Sequence, residues 1–358
     1  MAETQKNEQE DGEERPLCIW DGSVLEKPES ENTPGLCRVR SSKAKRLKKR
    51  RKGVFNQPGG PPIAVKGLEW TSTILVKKKS TPCLVATTFW SREGEKATTQ
   101  REQEKSLLWK LAGSWEKSVI HVFDRGYASG PWLHCMDGLD VDFVIRWKKK
   151  HKFFNLHGEE GLLSTLTRYK RSIDHKEIWD DQKKCYLKTG IMFLPVKHAS
   201  SAKSLWVVVV RRGGEPWYLI TTLPITTVKE AWNIYWIYRK RWKIETCFRY
   251  EKSELAVETV RAFESEKREK ILALASLVHA FLLSFIEEKH EEIREWILYR
   301  YCHRTGRKYR EEDCPIYRLR WAISRFWQKY CPQFCFTALS SSLKRGKVIP
   351  NLCSKSSG

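Results

Sequence analysis

The chain of 358 residues carries 66 Lys and Arg against 43 Asp and Glu, which gives a formal net charge of +23. This excess indicates a polyanionic partner, most simply nucleic acid, over a protein that is merely soluble and basic. An acidic N-terminus without a secretory signal, and a longest apolar run (residues 271–286) shorter than a bilayer span, argue against a membrane protein.

The charge is distributed unevenly along the N-terminal part. Residues 1–15 hold six acidic and two basic side chains, and we expect this segment to be disordered. Residues 38–52 hold ten Lys and Arg and no acidic residue. A run of this composition cannot bury an apolar face, so residues 38–60 are predicted to form a basic loop that tracks a nucleic-acid backbone or, by pattern alone, a nuclear-localisation patch.

Hydrophobic periodicity predicts an alternation of strands and helices. Residues 148 to about 200 are mixed and charge-rich, and no internal repeat is visible. The predicted strands are residues 17–20, 63–76, 83–89, 119–123, 141–147, 204–211 and 217–222, and the predicted helices are 100–115, 130–136, 228–254, 271–286 and 316–330.

The predicted helix 228–254 carries a distinctive set of side chains with the spacing Y-x2-R-x3-E-x6-K. At about 100° per residue, all of them lie within ~40° of the carboxylate. One carboxylate among cations on a helix face suits a metal ligand beside a phosphate backbone, whereas the alternative is a solvated face with i,i+4 ion pairs. The residues are Tyr238, Arg241, Glu245 and Lys252, with Arg249 on the same stripe.

Two further acidic residues each follow a short apolar strand. Asp124 follows VIHVF and begins D-R-G-Y, and Asp21 follows LCIW and begins D-G-S. Together with the helix signature, in this order, these motifs resemble the DDE transposases of bacterial insertion sequences, in particular the IS-four family with its Y-R-E-K signature. The family's first motif is usually D-G-T, so Ser23 is a conservative departure.

The resemblance implies an α/β fold with an RNase H-like catalytic core over residues 16–285. A β-rich insertion of about residues 148–205 is expected between the second Asp and the Glu. Residues 286–358 are expected to form a C-terminal helical region that ends in a disordered tail.

The resemblance also implies a site. Asp21, Asp124 and Glu245 would be the catalytic residues and metal ligands for two Mg²⁺ ions, for which Mn²⁺ may substitute. Asp21 would bridge both ions, with Asp124 on one and Glu245 on the other. Water or a DNA 3′-hydroxyl would attack phosphorus in line, without a protein nucleophile.

Partners follow from the same resemblance. Tyr238, Arg241 and Lys252 would grip DNA near the cut, with Arg249 and Arg125 as further DNA-binding residues. The partner would be double-stranded DNA, both element ends and target, held by a homodimer on paired ends. A cytoplasmic, nucleoid-associated protein of a prokaryote is expected.

Two alternatives remain open. The first alternative is a truncated or idle transposase descendant that only binds DNA, because about 20 residues precede Asp21 where many relatives carry a DNA-binding domain. The second is a metal-dependent nuclease on the same core, which cuts without rejoining. The intact acidic triad argues against the first alternative, since a protein that only binds has no physical need for three metal-binding carboxylates.

Cysteine and histidine give weaker signals. Eleven cysteines in a chain of this length favour a reduced compartment over a disulfide framework. His279 is interpreted as a core histidine of a buried helix, residues 271–286. A zinc cluster is an alternative to ordinary thiols for Cys302, His303, Cys314, Cys331 and Cys335, whose spacing fits no common zinc pattern.

Overall fold

The computed structural model describes residues 15–28, 30, 32–41, 64–78, 81–180, 183–302 and 316–330. They belong to two compact units, residues 1–281 and 282–358. Residues 1–14, most of the predicted basic loop and the predicted C-terminal tail lie outside the described residues. The same holds for four of the five proposed zinc ligands, all except Cys302, so that cluster stays a prediction.

In the described part of the first unit, ten strands form one mixed sheet and two form a small hairpin. The hairpin consists of β7 and β8, which pair antiparallel. The strands are β1 Leu17–Glu26, β2 Cys37–Arg40, β3 Ala64–Val76, β4 Cys83–Trp90, β5 Ile120–Phe123, β6 Asp142–Trp147, β7 Lys152–Phe154, β8 Glu160–Leu162, β9 Asp174–Asp180, β10 Cys185–Val196, β11 Leu205–Arg211 and β12 Trp217–Thr221.

The centre of the sheet has the strand order β4-β3-β1-β5-β6. The pairs β4–β3 and β3–β1 are antiparallel, whereas β1–β5 and β5–β6 are parallel. Three antiparallel strands followed by two parallel ones form the expected RNase H-like core, and the α/β fold predicted above is confirmed. Beyond β6 the sheet continues antiparallel through β12, β11, β10 and β9.

Helices of the first unit pack against this sheet, and two α-helices lie in the described part of the second unit. The first unit contains α1 Gln100–Trp115, α2 Gly130–Gly138, α3 Leu163–Leu166, α4 Val228–Arg239, α5 Trp242–Ser253 and most of α6 Ser265–Ser284. The second unit contains α7 Glu291–Tyr301 and α8 Ile316–Tyr330. Within the described ranges, none of the helices has the length and apolarity needed to cross a bilayer.

The prediction of one helix over residues 228–254 is wrong, because α4 and α5 are separate. Lys240 N–H still donates to the Trp236 carbonyl four residues back, but after it the backbone bonds three residues back: Arg241 N–H donates to the Tyr238 carbonyl at 3.1 Å, and Ile244 N–H donates to the Arg241 carbonyl at 3.2 Å. Lys240 and Arg241 keep right-handed helical angles. The chain is therefore tightened for one turn, which shifts α5 out of register with α4.

The prediction that a strand ends at Asp21 also needs correction. β1 loses its parallel neighbour β5 after Ile19, but its antiparallel pairing with β3 continues to Glu26 opposite Gly67. Asp21 therefore lies within a strand that is paired on one side only.

The helix predicted to be buried at residues 271–286 has two faces. Leu272 and His279 of α6 are buried, whereas Leu274 is 60% and Leu277 66% exposed. His279 is a core histidine as predicted, and its Nδ1 lies 3.0 Å from Oε1 of the buried Glu251 on α5. This buried pair joins α6 to the helix that carries Glu245.

The core beneath the sheet centre is aromatic and fixes the strand ends. Trp20 and Phe123 are fully buried with ring centroids 5.6 Å apart, and Trp132 meets Phe123 edge-on at 5.4 Å. Trp20 directly precedes Asp21, and Phe123 directly precedes Asp124. Their packing therefore holds Asp21 and Asp124 at defined positions.

Replacing Gly67 by Ala is expected to destabilise the first unit by ~2 kcal/mol or more, because a side chain cannot be accommodated without a backbone shift. A Cβ there would overlap the Leu25 carbonyl oxygen and lie 2.6 Å from Val39 Cγ2. Calorimetry of the full chain should show a lower Tm. Gly113→Ala on α1 is the control, since its Cβ would meet nothing within 4 Å and helix propensity favours Ala; equal Tm changes for both variants would contradict this packing.

Candidate active site

The parallel pairing of β1 and β5 brings two carboxylates to one edge of the sheet. Leu17, Cys18 and Ile19 pair with Ile120, His121 and Val122 in register. Continuing this register by two residues places Asp21 opposite Asp124. Carboxyl ends of neighbouring parallel strands are a common location for active sites in α/β proteins.

Asp21 is held from two sides and is largely buried, with 18% of its side chain exposed. Gly22 N–H donates to Oδ1 at 2.9 Å, and Arg241 Nη1 donates to Oδ2 at 2.9 Å. The pKa of Asp21 is raised to about 7, mainly by burial and also by the charges of Asp124 and Glu245, while Arg241 and the Gly22 N–H oppose the shift. The three carboxylates therefore share one electrostatic environment.

Asp124 begins the D-R-G-Y segment, which forms a tight 3-10 turn. Its Oδ1 accepts the Gly126 N–H at 2.7 Å. A Cβ at position 126 would lie 2.9 Å from that oxygen, so a side chain there would displace the Asp124 carboxylate. The motif is thus both a turn and a device that orients the carboxylate.

Arg241 connects the first and third carboxylates. Its Nη1 bonds to Asp21 as above, and its Nη2 donates to Glu245 Oε1 at 2.6 Å. The contact to Asp21 spans 220 positions of the chain, whereas the contact to Glu245 is an i,i+4 pair within one turn. The i,i+4 pair considered from sequence does form, and the same guanidinium also draws α5 towards β1.

The donor set suits a hard divalent cation, because all three groups are carboxylates. Among the residues that the structure describes, no three Asp, Glu, His or Cys side chains are grouped closely enough to hold one ion. Arg241 instead supplies the positive charge between Asp21 and Glu245. Two of these oxygen donors, Asp21 and Glu245, share one guanidinium, and the third, Asp124, follows the neighbouring parallel strand.

The other signature residues contact aromatic rings. Tyr238 is 6% exposed and meets Trp217 edge-on, with ring centroids 5.7 Å apart. Burial raises the pKa of Tyr238, and the charges of Arg241 and Arg146 oppose this shift. Lys252 Nζ lies 5.5 Å from the ring centre of Trp70. The signature therefore does not form one continuous exposed face.

The two remaining predicted DNA-binding residues are exposed. Arg125 follows Asp124 directly and lies 4.0 Å from Glu215, which Lys149 also contacts at 2.9 Å. Arg249 is exposed on α5. Their side chains are accessible to a large partner.

Sequence reasoning missed three residues around the site. Arg146 on β6 stacks on Trp217 at 5.1 Å and acts electrostatically on Tyr238. Arg101 and Glu104 on α1 form a pair at 2.8 Å behind the Asp124 turn. An Arg-x-x-Glu spacing in a charged helix is common, so the sequence offers no signal that separates this pair from a solvated one.

Carboxylates side by side on two central parallel strands of such a sheet, with a third on a later helix, are typical of metal-dependent enzymes that cut and join nucleic-acid strands. The sequence matches the family model of the transposase DDE domain over residues 94–281, more than half of the chain. The chain therefore belongs to the transposase DDE domain family. The matched segment contains Asp124 and Glu245 and begins after Asp21.

Comparison with curated proteins finds no match. Among solved structures, the chain is similar to the piggyBac transposase in a cryo-EM structure of its synaptic complex with hairpin DNA. The TM-score is 0.43 and the sequence identity 9%, over 95% of this chain and 59% of that chain. The chain thus spans less than two thirds of the length of that neighbour.

Replacing Asp21 by Asn should stabilise the metal-free protein more at pH 8 than at pH 5. The folded pKa of about 7 lies above the ordinary 3.8, so the folded state keeps a proton that the unfolded chain has lost, and stability falls as pH rises through this window. The two conditions are three pH units apart, but the folded carboxyl group keeps its proton only up to about pH 7, so the gain should differ by ~2–3 kcal/mol.

The measurement is urea unfolding in the presence of a chelator at both pH values. Asp174→Asn is the control: Asp174 accepts Trp232 Nε1 at 2.7 Å, and this hydrogen bond lowers its pKa. It should show no gain that grows with pH. An Asp21→Asn effect of equal size at both pH values would refute the burial of a charged carboxylate.

Proposed function

We propose that the protein is a DDE transposase of the IS-four group, which binds the ends of an insertion sequence and performs metal-dependent phosphodiester hydrolysis and strand transfer. The main support is the proximity of three carboxylates from separate segments of the chain. The charges of Asp124 and Glu245 both act on the largely buried carboxyl group of Asp21. Membership of the transposase DDE domain family is the second support. The setting would be the cytoplasm of a prokaryote, at the nucleoid.

Asp21, Asp124 and Glu245 would hold two divalent ions, Mg²⁺ by preference with Mn²⁺ as substitute, which would activate the attacking oxygen and stabilise the leaving one. The protein's own part is to orient the carboxylates. The backbone N–H groups of Gly22 and Gly126 each fix one carboxylate oxygen of the neighbouring Asp. Arg241 offsets the negative charge of the pair it joins.

DNA would be bound by the cationic side chains near this edge. Arg125 and Arg249 are exposed, and Lys252 lies over Trp70, so these are the proposed phosphate contacts. Tyr238 would contribute its hydroxyl to a phosphate, since its ring is buried against Trp217. The net charge of +23 would attract both element ends and target DNA.

One observation favours the non-catalytic alternative, a transposase-derived protein that only binds DNA. Arg241 bonds to both Asp21 and Glu245, and such pairing stabilises the carboxylates without any metal. A nuclease that cuts without rejoining is the other alternative. Cleavage separates the first alternative from the proposal, and joining of the cut ends to a second DNA separates the other.

Replacing Glu245 by Gln is expected to lower metal-dependent nicking at the element boundary at least ~100-fold, as for the loss of a group that acts directly on the reaction. DNA affinity should stay within about twofold, because a metal donor and not a phosphate contact is removed. The assay uses a labelled duplex carrying the ends of the flanking element, with Mg²⁺ or Mn²⁺, and a second duplex as target.

Glu266→Gln on α6 is the matched control, since this exposed carboxylate pairs with Lys270 on a helix that carries no signature residue. Retained nicking in the Glu245 variant would refute the assignment. Tight binding without nicking by the wild type would establish the idle descendant. Nicking without joining would establish the nuclease.

We also propose that two copies act on paired ends and meet through α6. This helix exposes an apolar stripe in a stretch, residues 271–286, that contains no charged residue. Two such stripes would together bury on the order of 1,000 Å², the lower range for a specific interface. DNA phosphates cannot occupy this uncharged face, whereas a second copy can. The exposed residues are Ile271, Leu274, Leu277, Val278 and Phe281.

The double variant Leu274→Glu, Leu277→Glu should therefore sediment as a monomer under conditions where the wild type is a dimer on end DNA. Burying two carboxylates against an apolar face is strongly unfavourable. Lys267→Glu is the control, because it changes charge on the same helix outside the stripe. A dimer that survives the double variant would place the interface elsewhere.

A further inference from the structure

A buried carboxylate on α1 lies behind the proposed active site without taking part in it. The side chain of Glu104 is completely buried. Its Oε1 accepts a hydrogen bond from Gln100 Nε2 at 2.8 Å, and its Oε2 accepts one from Arg101 Nη1 at 2.8 Å. A buried charge is costly unless it is paired and hydrogen-bonded. Gln100 and Arg101 of the same helix both donate to Glu104, so the cost of burying its carboxylate is offset within α1.

Arg101 extends from this unit to the turn that carries Asp124. Its Nη2 donates to the Gly126 carbonyl oxygen. Its guanidinium also lies 4.8 Å from the ring centre of Tyr127 and 5.5 Å from that of Trp132. The planar guanidinium therefore makes three kinds of contact at once, which a lysine ammonium cannot reproduce.

Gly126 is thus fixed at both of its backbone polar groups. Its N–H donates to Asp124 Oδ1 at 2.7 Å, and its carbonyl accepts from Arg101. Loss of the Arg101 contact would free the carbonyl end and allow the turn to rotate. Rotation of the turn would move the Asp124 carboxylate, because the N–H that orients it belongs to the same residue.

The same unit also touches the first aspartate segment. A Cβ built on Gly22 would lie 3.3 Å from Gln100 Nε2, so the Gln100 amide packs directly against the residue after Asp21. Tyr127 is buried between these groups, and its pKa is raised by burial, with the charges of Glu104, Asp21 and Asp124 adding to the shift. One helix therefore contacts both segments that carry the aspartates.

We propose that Arg101, anchored by Glu104, is a positioning residue that sets the orientation of Asp124 relative to Asp21 and so determines how well the site takes up a divalent cation. The effect of this role on metal uptake rests on the proposed function. The hydrogen bond from Arg101, paired with Glu104, to the Gly126 carbonyl, called the clasp below, rests on geometry alone. Neither residue is proposed to touch the metal or DNA.

The test uses the full-length chain and the variants Arg101→Met, Arg101→Lys and Glu104→Gln. The Mg²⁺ concentration for half-maximal nicking should rise by about 10-fold or more, as is typical for the loss of a group that orients a metal ligand. DNA affinity should change less than about twofold. Arg101→Lys keeps the charge, so failure of Lys to rescue would assign the effect to the shape and hydrogen bonding of the guanidinium. Lys105→Gln, an exposed change on the same helix, is the control.

A second readout does not need activity. In metal-free protein, hydrogen exchange of the Gly126 amide should be at least about 10-fold faster in Arg101→Met and Arg101→Lys than in the wild type and the control. Glu104→Gln, which keeps the side-chain volume, should show an intermediate effect. Calorimetric Tm values identify any variant that fails to fold, and Arg101→Lys then serves in its place.

The outcomes distinguish the two levels of inference. If the Gly126 amide exchanges faster in the variants but the wild type never nicks DNA, the proposed function is refuted and the clasp stands. Wild-type nicking with unchanged Mg²⁺ dependence and unchanged Gly126 exchange in the variants would overturn the positioning role and leave the proposed function. A higher Mg²⁺ concentration for half-maximal nicking, accompanied by equally weakened DNA binding, would also count against the positioning role.

Discussion

The rest of this structure depends on the repulsion among three carboxylates that are held at one edge of the sheet. Asp21 and Asp124 end up side by side because β1 and β5 pair in parallel, and Glu245 adds a third carboxylate. Burial, together with the charges of Asp124 and Glu245, raises the pKa of Asp21 to about 7 even with Arg241 opposing the shift, so an uncompensated cluster would disfavour folding near neutral pH. Arg241 offsets this cost by bonding to two of the three carboxylates.

The surrounding fold holds these carboxylates in place despite their mutual repulsion. Trp20 and Phe123 pack together immediately before the two aspartates, so the backbone at both positions is anchored in the aromatic core. The antiparallel strands after β6 extend the same sheet before the chain returns as α4 and α5. This long excursion is what allows a glutamate 121 positions after Asp124 to reach the same edge.

Much of this could be predicted from local pattern, and the exceptions share a cause. The strands before Asp21 and Asp124 and the helix Gln100–Trp115 follow from apolar runs and periodicity. The break between α4 and α5 could not be predicted, because the helical periodicity runs through it and the tightened turn accompanies the contact of Arg241 with Asp21. The Glu104–Arg101 clasp was invisible for a similar reason: its spacing is ordinary, and only the tertiary fold buries the glutamate.

The position of Arg241 links the two halves of the proposed function. Its N–H groups are directed to Asp21 and Glu245 in the structure, and the same groups would be needed to bind a phosphate bidentately. A guanidinium cannot fully serve both partners. Neutralisation of the carboxylates by divalent ions would remove the reason for Arg241 to stay with them. If Arg241 binds a phosphate as proposed, metal uptake and the binding of DNA near the cut would then be coupled through this one side chain.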